Sequence, residues 1–230
     1  MTHPGKFYRS SIGRKFLMAI TGFVLAGFVT GHLIGNLQVF LEPVKINAYA
    51  HFLESLGELL WLVRGFLLLC LVVHVWLALQ LVLDNRAARP VPYAVLHTNR
   101  ATLASRVMGR TGIVVLAFII YHLIDFSFRA QHPEWSEHTF RLPDGTMVRD
   151  VHAMIIHGFS RLPVSIFYIV AIGLLSYHLS HGLVSMFQSV GWKNERWTRG
   201  LGRFAVIYCW LYFLLNAAIP VSVLTGVLHL

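Results

Sequence analysis

Four histidines stand inside long apolar stretches of this 230-residue chain: His32, His74, His122 and His178. An imidazole at membrane depth is costly unless it faces the interior of a helix bundle and finds a partner there. The neutral ring can do two things in such a place. It can sit as a hydrogen-bonded core residue, or it can offer a nitrogen lone pair to a metal. Thirteen histidines are the anomaly of the composition, and it is their depth that has to be accounted for.

The elements that hold these rings are set by composition. The chain is 56% hydrophobic and 13% charged, with a mean hydropathy of +0.63. That balance cannot cover a soluble domain, so a water-soluble enzyme and a nucleic-acid module are both excluded. About 20 apolar residues cross a bilayer, and five stretches qualify: 16–41, 59–83, 107–128, 162–188 and 204–230. The first follows basic residues as a signal peptide would, but it is too long and lacks a small-residue cleavage site, so it reads as an anchor. The fold class expected is all-α, a single domain over 1–230 forming an integral membrane bundle of five transmembrane helices.

Charge sets the direction. The net charge is +9. Lys6, Arg9, Arg14 and Lys15 precede the first span; Arg86, Arg89, Arg100, Arg106 and Arg110 lie between the second and third; Lys193, Arg196, Arg199 and Arg203 lie between the fourth and fifth. These segments hold 13 of the 19 Lys and Arg and net +11, whereas the opposite side nets −2. The positive-inside rule then predicts a cytoplasmic N-terminus and an external C-terminus. The long connection 129–161 falls outside, with turns expected at Pro133, Pro143 and Asp144-Gly145.

Depth follows from a helical rise of about 1.5 Å per residue. His74 and His178 each lie ten residues before the cytoplasmic end of their spans, and His32 and His122 lie nearly level with each other towards the external face. Two pairs at two depths suggest two bis-histidine haems held in the bundle core. Cys70 and Cys209 cannot build a disulfide framework, a zinc site or an iron–sulfur site, and no CxxCH occurs, so the haems expected are noncovalent b haems. The alternative is four separately hydrogen-bonded core histidines. His181, three residues past His178, is a group for a haem propionate or a polar residue near the interface.

An internal repeat accompanies the external pair. MAITGFVLAGFVTGHLI (18–34) laid on MGRTGIVVLAFIIYHLI (108–124) matches at eight of seventeen positions, and His32 and His122 each stand eleven residues past a Thr-Gly. Gly27, Gly31 and Gly35 form a small-residue stripe beside His32, which either admits a macrocycle or permits close helix packing.

Other groups have roles to fill. Haem propionates need cations, and Arg14, Lys15, Arg106 and Arg110 lie at the inner ends of the first and third spans. At the outer end, His51, Glu54, Glu58 and Arg64 gather around the start of the second span, and Asp125 lies one turn beyond His122. Quinone reduction takes up protons, so the four around the second span form a candidate quinone site. Arg64 is expected to pair with a carboxylate or a propionate. No nucleotide loop, catalytic triad or metal-hydrolase motif appears, so chemistry on a water-soluble substrate would belong to another subunit, docked on 2–14 and the two cytoplasmic loops.

The chain resembles a known family on several of these segments: Thr21-Gly22 with His32-Leu33-Ile34-Gly35-Asn36, Asn47-Ala48-Tyr49-Ala50-His51-Phe52, His74, Tyr121-His122-Leu123, Tyr177-His178-Leu179-Ser180-His181-Gly182, Phe187-Gln188 and Gly191-Trp192. These are similar, over nearly the whole chain, to the single-chain, five-helix, di-haem cytochrome b subunits of succinate:quinone oxidoreductases and fumarate reductases. The resemblance implies that His32 and His122 hold the outer haem and His74 and His178 the inner one. It also implies a cytoplasmic flavoprotein with FAD, an iron–sulfur subunit between that and this anchor, and menaquinone or ubiquinone bound at the membrane subunit in the inner membrane. A higher oligomer of the complex is compatible with it. In this reading the chain is a subunit of an enzyme that never itself touches succinate. Some fumarate reductases carry a glutamate two residues before the fourth-helix ligand; here that position is Ser176, so a proton path through it is missing. A haem b subunit of a hydrogenase or formate dehydrogenase is the alternative, as is a haem-free transporter or scaffold, which would need broken helices where Pro220 is the only deep proline.

Overall fold

Ser10 opens the first membrane helix: its hydroxyl accepts from the Gly13 N–H at 3.0 Å, and α1 (Ser11–Asn36) then runs unbroken. The protein is described from a computed structural model covering residues 10–88, 103–192 and 194–230. Lys6, Arg9, Arg89, Arg100 and Lys193, and most of the segment 2–14 expected to dock a partner, lie outside the described residues.

A 3-10 turn (Leu37–Phe40) leads to α2 (Pro43–Ser55), with Pro43 at a helix start where its missing N–H costs nothing. Gly57, at φ +53°, turns the chain into α3 (Glu58–Ala87). α4 (Leu103–His122) ends in a π-helical segment, Leu123–Ser127. The connection 129–161 contains α5 (Val151–Phe159), and α6 (Leu162–Ser189) and α7 (Glu195–Leu224) follow, the last capped by Asn194 accepting from the Trp197 N–H.

Five of these are long and apolar enough to cross a membrane: Ser11–Phe40, Glu58–Ala87, Ser105–Ser127, Leu162–Ser189 and Glu195–Leu224. The all-α bundle expected from composition is therefore the architecture found. Boundaries moved where charge had been taken as a stop. α7 begins nine residues before 204 and carries Arg196, Arg199 and Arg203 on its first turns, because a long basic side chain can ride on a helix end and reach out to polar surroundings. Large apolar residues such as Trp61, Leu62, Leu68 and Leu69 stand exposed on α3, as a lipid-facing surface requires.

Packing order matters most for the histidines. α1 packs against α3 on one side and α6 on the other; α6 also packs against α4 and α7; α3 and α4 meet only sparsely. α1, α3, α4 and α6 thus form a four-helix bundle with α7 laid outside on α6. Its diagonals are α1 with α4 and α3 with α6, pairs whose backbones make no extensive contact.

The connection 129–161 is folded. Strands β1 (Thr139–Arg141) and β2 (Met147–Arg149) pair antiparallel, with Phe140 opposite Val148, around a turn containing Pro143 and Asp144-Gly145, as the sequence suggested. Pro133 starts a 3-10 turn, Pro133–Ser136. Asn47 of α2 then fixes α5. Fully buried, it accepts at Oδ1 from the Val151 and His152 N–H groups, at 2.8 and 3.1 Å, and donates from Nδ2 to Asp150 at 3.1 Å. Two orphan donors of a helix start are satisfied by a side chain from another element. Ile155, Ile156 and Phe159 of α5 enter the same core as Phe118, Tyr168 and Ala171, so this connection is a packed cap on the bundle.

Candidate functional site

His32 on α1 and His122 at the end of α4 face each other across one diagonal of the bundle. Their ring centroids are 5.7 Å apart and their planes nearly perpendicular, at 80°. Two imidazoles on opposite sides of one metal would stand about 6 Å apart, from metal–nitrogen bonds of about 2 Å and a ring radius on each side. His74 on α3 and His178 on α6 share the other diagonal and lie close enough to interact electrostatically. The spacing of the first pair suits two nitrogens on one metal centre. Among the described residues no three histidine, cysteine or acidic side chains converge as a metal site.

A core histidine in the ordinary sense would be buried and bonded at both nitrogens. Here His32 is exposed and the other three are only half-buried, although all four lie within apolar spans. The Nδ1 atoms of three have a hydroxyl beside them: Thr21 Oγ1 at 3.2 Å from His74, Thr111 Oγ1 at 3.3 Å from His178, and Tyr168 Oη at 3.3 Å from His122. No hydrogen bond to Nε2 of these three rings occurs among the described residues. A ring held at Nδ1 keeps its Nε2 lone pair available to a further partner.

The repeat therefore does more than place His32 and His122 in similar settings. The Thr-Gly of each copy lies against the histidine of the other pair: Thr21-Gly22 beside His74, Thr111-Gly112 beside His178. A Cβ on Gly22 would stand 3.2 Å from His74 Cε1, and one on Gly112 3.6 Å from His178 Cε1. Both glycines leave room for a ring. The Gly stripe divides: a Cβ on Gly35 would strike the Tyr49 ring at 2.7 Å, so this glycine serves close packing, whereas Gly27 and Gly31 have open space beside them. Helical rise separates the two levels by about 16 Å along α1, from Thr21 to His32.

The other sequence-predicted residues are less concentrated. Arg14 pairs with Asp84 at 2.5 Å, tying the start of α1 to the end of α3, while Arg106 and Arg110 are exposed on α4. His181 is half-buried and close enough to His178 to interact with it. His51 and Glu58 are exposed; Glu54 forms an ion pair with Arg149 of β2. Arg64 was expected to meet a carboxylate or a propionate, but its guanidinium lies over the Trp61 ring, 4.9 Å from the centroid, and makes no ion pair among the described residues. Its exposed position on the helix face and the neighbouring indole decide that. No hydrogen bond or ion pair joins any two of the four candidate quinone residues.

Sequence reasoning missed a cluster at the same end. Asp125 has no exposed surface and sits in the π-helical turn after His122, with Arg161 at 3.6 Å. The Tyr168 hydroxyl lies alongside, yet among the described residues no well-formed hydrogen bond reaches either carboxylate oxygen. A buried carboxylate beside a metal-ligand candidate, in a π-turn, is a functional arrangement far more often than a structural one. Its acid was visible in the sequence; Arg161, 36 residues on, and Tyr168 were not, since only folding brings them there. Ser176 is buried, and its hydroxyl has no hydrogen-bond partner among the described residues.

Comparison with protein-family models, with curated proteins and with solved structures finds no match.

Proposed function

We propose that the chain is the membrane anchor and electron-transfer subunit of a succinate dehydrogenase or fumarate reductase, binding two b haems and working between an iron–sulfur subunit and membrane quinone. The observation that supports this best is the diagonal pairing: four histidines from four helices, two to a level, with His32 and His122 at a spacing that suits one metal between them. Bound there, haem iron would supply one-electron transfer. The chain's own residues would bind and shield it. His32 with His122 would hold one haem and His74 with His178 the other, Gly22 and Gly112 would keep the second pair of rings uncrowded, and the aromatic wall of Phe118, Phe126 and Tyr168 would keep water from the first. Arg106 and Arg110 are available for propionates.

In this reading the N-terminus is cytoplasmic, in the cell's inner membrane. His74 and His178 then form the inner site, nearer the FAD and iron–sulfur subunits. His32 and His122 form the outer one, with quinone near His51, Glu54, Glu58 and Arg64. The charge asymmetry supports that orientation.

The experiment is a reduced-minus-oxidised spectrum of the purified chain with haem counted per polypeptide, followed by addition of succinate to the complex isolated from membranes. Two b haems per chain, reduced by succinate, are expected. A chain without haem would leave a transporter or scaffold. Haem present but indifferent to succinate would move the chain to another respiratory complex.

A further inference from the structure

A hydroxyl has one proton to give, and where that proton goes decides what the oxygen can do for a histidine. Thr21 is buried, and its Oγ1 lies 3.0 Å from the Leu17 carbonyl and 3.1 Å from the Met18 carbonyl, the back-bonding geometry of a mid-helix threonine. A carbonyl only accepts, so the hydroxyl proton belongs on that side. Thr21 then has only lone pairs to offer His74, and Nδ1 at 3.2 Å must carry the ring proton. The Met18 carbonyl also lies against this imidazole, another acceptor with no proton to give.

The second copy of the repeat does the same. Thr111 is buried, with Oγ1 at 3.2 Å from the Val107 carbonyl, 3.1 Å from that of Met108, and 3.3 Å from His178 Nδ1. Two helices with no direct counterpart in the other's histidine thus repeat one four-part arrangement: carbonyl, hydroxyl, imidazole, and a glycine next to the threonine. A threonine that merely filled space would not need its hydroxyl aimed at a ring nitrogen in both copies.

We propose that Thr21 and Thr111 are positioning residues for His74 and His178: each accepts the Nδ1–H, fixes the tautomer that leaves Nε2 bare, and so sets the reduction potential of the haem at that level. This rests on the haem-binding function proposed above. An acceptor on Nδ1–H makes the imidazole a stronger donor through Nε2, which favours the oxidised iron. Removing the acceptor therefore raises the potential. Each helix serves both levels, its Thr-Gly one and its histidine the other, which is why eleven residues separate them in both copies.

The test is a redox titration of the haems in the purified complex carrying Thr21→Val, Thr111→Val, or serine at either position. Valine keeps the shape without the hydroxyl; serine keeps the hydroxyl. The haem of this level is identified as the one lost on His74→Ala. Valine should shift its reduction equilibrium about tenfold towards the reduced form, about 59 mV for a one-electron couple, and leave the other haem unmoved. Serine should restore it. Loss of this haem alone, regained with serine, is the same result in stronger form. Unmoved potentials with valine, failure of serine to restore, or loss of both haems together would overturn the proposal. A wild-type chain with no haem would instead overturn the function on which it rests, and is read before any variant.

Discussion

Among the described residues Asp125 is the one carboxylate with no exposed surface, and its cation, Arg161, keeps 38% of its side chain open. That imbalance makes the two substitutions unequal. Asp125→Asn leaves a guanidinium that can turn to water, at a cost of about 1 kcal/mol; Arg161→Gln leaves a buried charge without its partner, at about 3 kcal/mol. Thermal unfolding of the solubilised chain should rank them in that order, and equal losses would mean that the pair contributes nothing as a pair. The histidines give the second prediction at this scale. His32→Ala or His122→Ala should remove one haem, and His74→Ala or His178→Ala the other, while His181→Ala keeps both. Haem counting on the five variants checks it, and retention of both haems in His178→Ala with loss in His181→Ala would reassign the ligand.

α5 is held by a side chain that belongs to α2. Asn47→Ala removes the two bonds to the Val151 and His152 N–H groups and the one to Asp150, and leaves buried donors without partners, costing about 1–3 kcal/mol. The effect should be local: faster hydrogen exchange across α5, with α1 and α6 unchanged. His152, buried in the first turn of the same helix, adds a pH dependence. Burial pushes its imidazole below the ordinary value of 6.5, Asp150 only partly opposing this, so the folded ring is neutral where the unfolded one would take a proton. The unfolded state binds more protons below about 6.5, and stability is lost as pH falls from there towards the folded value; above it this group contributes nothing that varies. Once the intrinsic pH dependence of amide exchange is divided out, protection across α5 should fall between pH 7 and pH 5 in the wild type and respond less in His152→Gln. An unchanged slope in that variant would assign the dependence to another group.

At the scale of the whole molecule, the five spans alternate, so Ser10, the end of α3, the start of α4 and the start of α7 lie at one end, and the folded cap at the other. The end richer in Lys and Arg is the one proposed to face the cytoplasm. Both native cysteines are buried, which gives a quiet background for cysteines introduced at Ser105 and Ser136. A membrane-impermeant thiol reagent on intact cells should label the second and spare the first. The reverse would invert the chain and exchange the inner and outer sites.

The number of spans, their alternation and the depth of each histidine were legible in the sequence. These depend on local quantities, apolar run length and helical rise, that no neighbour can change. Asp144-Gly145 was likewise readable as a turn. What surrounds each ring was not. That Thr21-Gly22 attends His74 rather than its own helix's His32, that Tyr168 and Arg161 close on Asp125, and that Arg64 stacks on Trp61 while Glu54 goes to Arg149, all depend on which helices are neighbours and how each is rotated. In water an amphipathic stripe would announce the rotation. In a bilayer the lipid is as apolar as the bundle core, so the sequence carries little contrast between the two faces, and only packing settles which side chains meet.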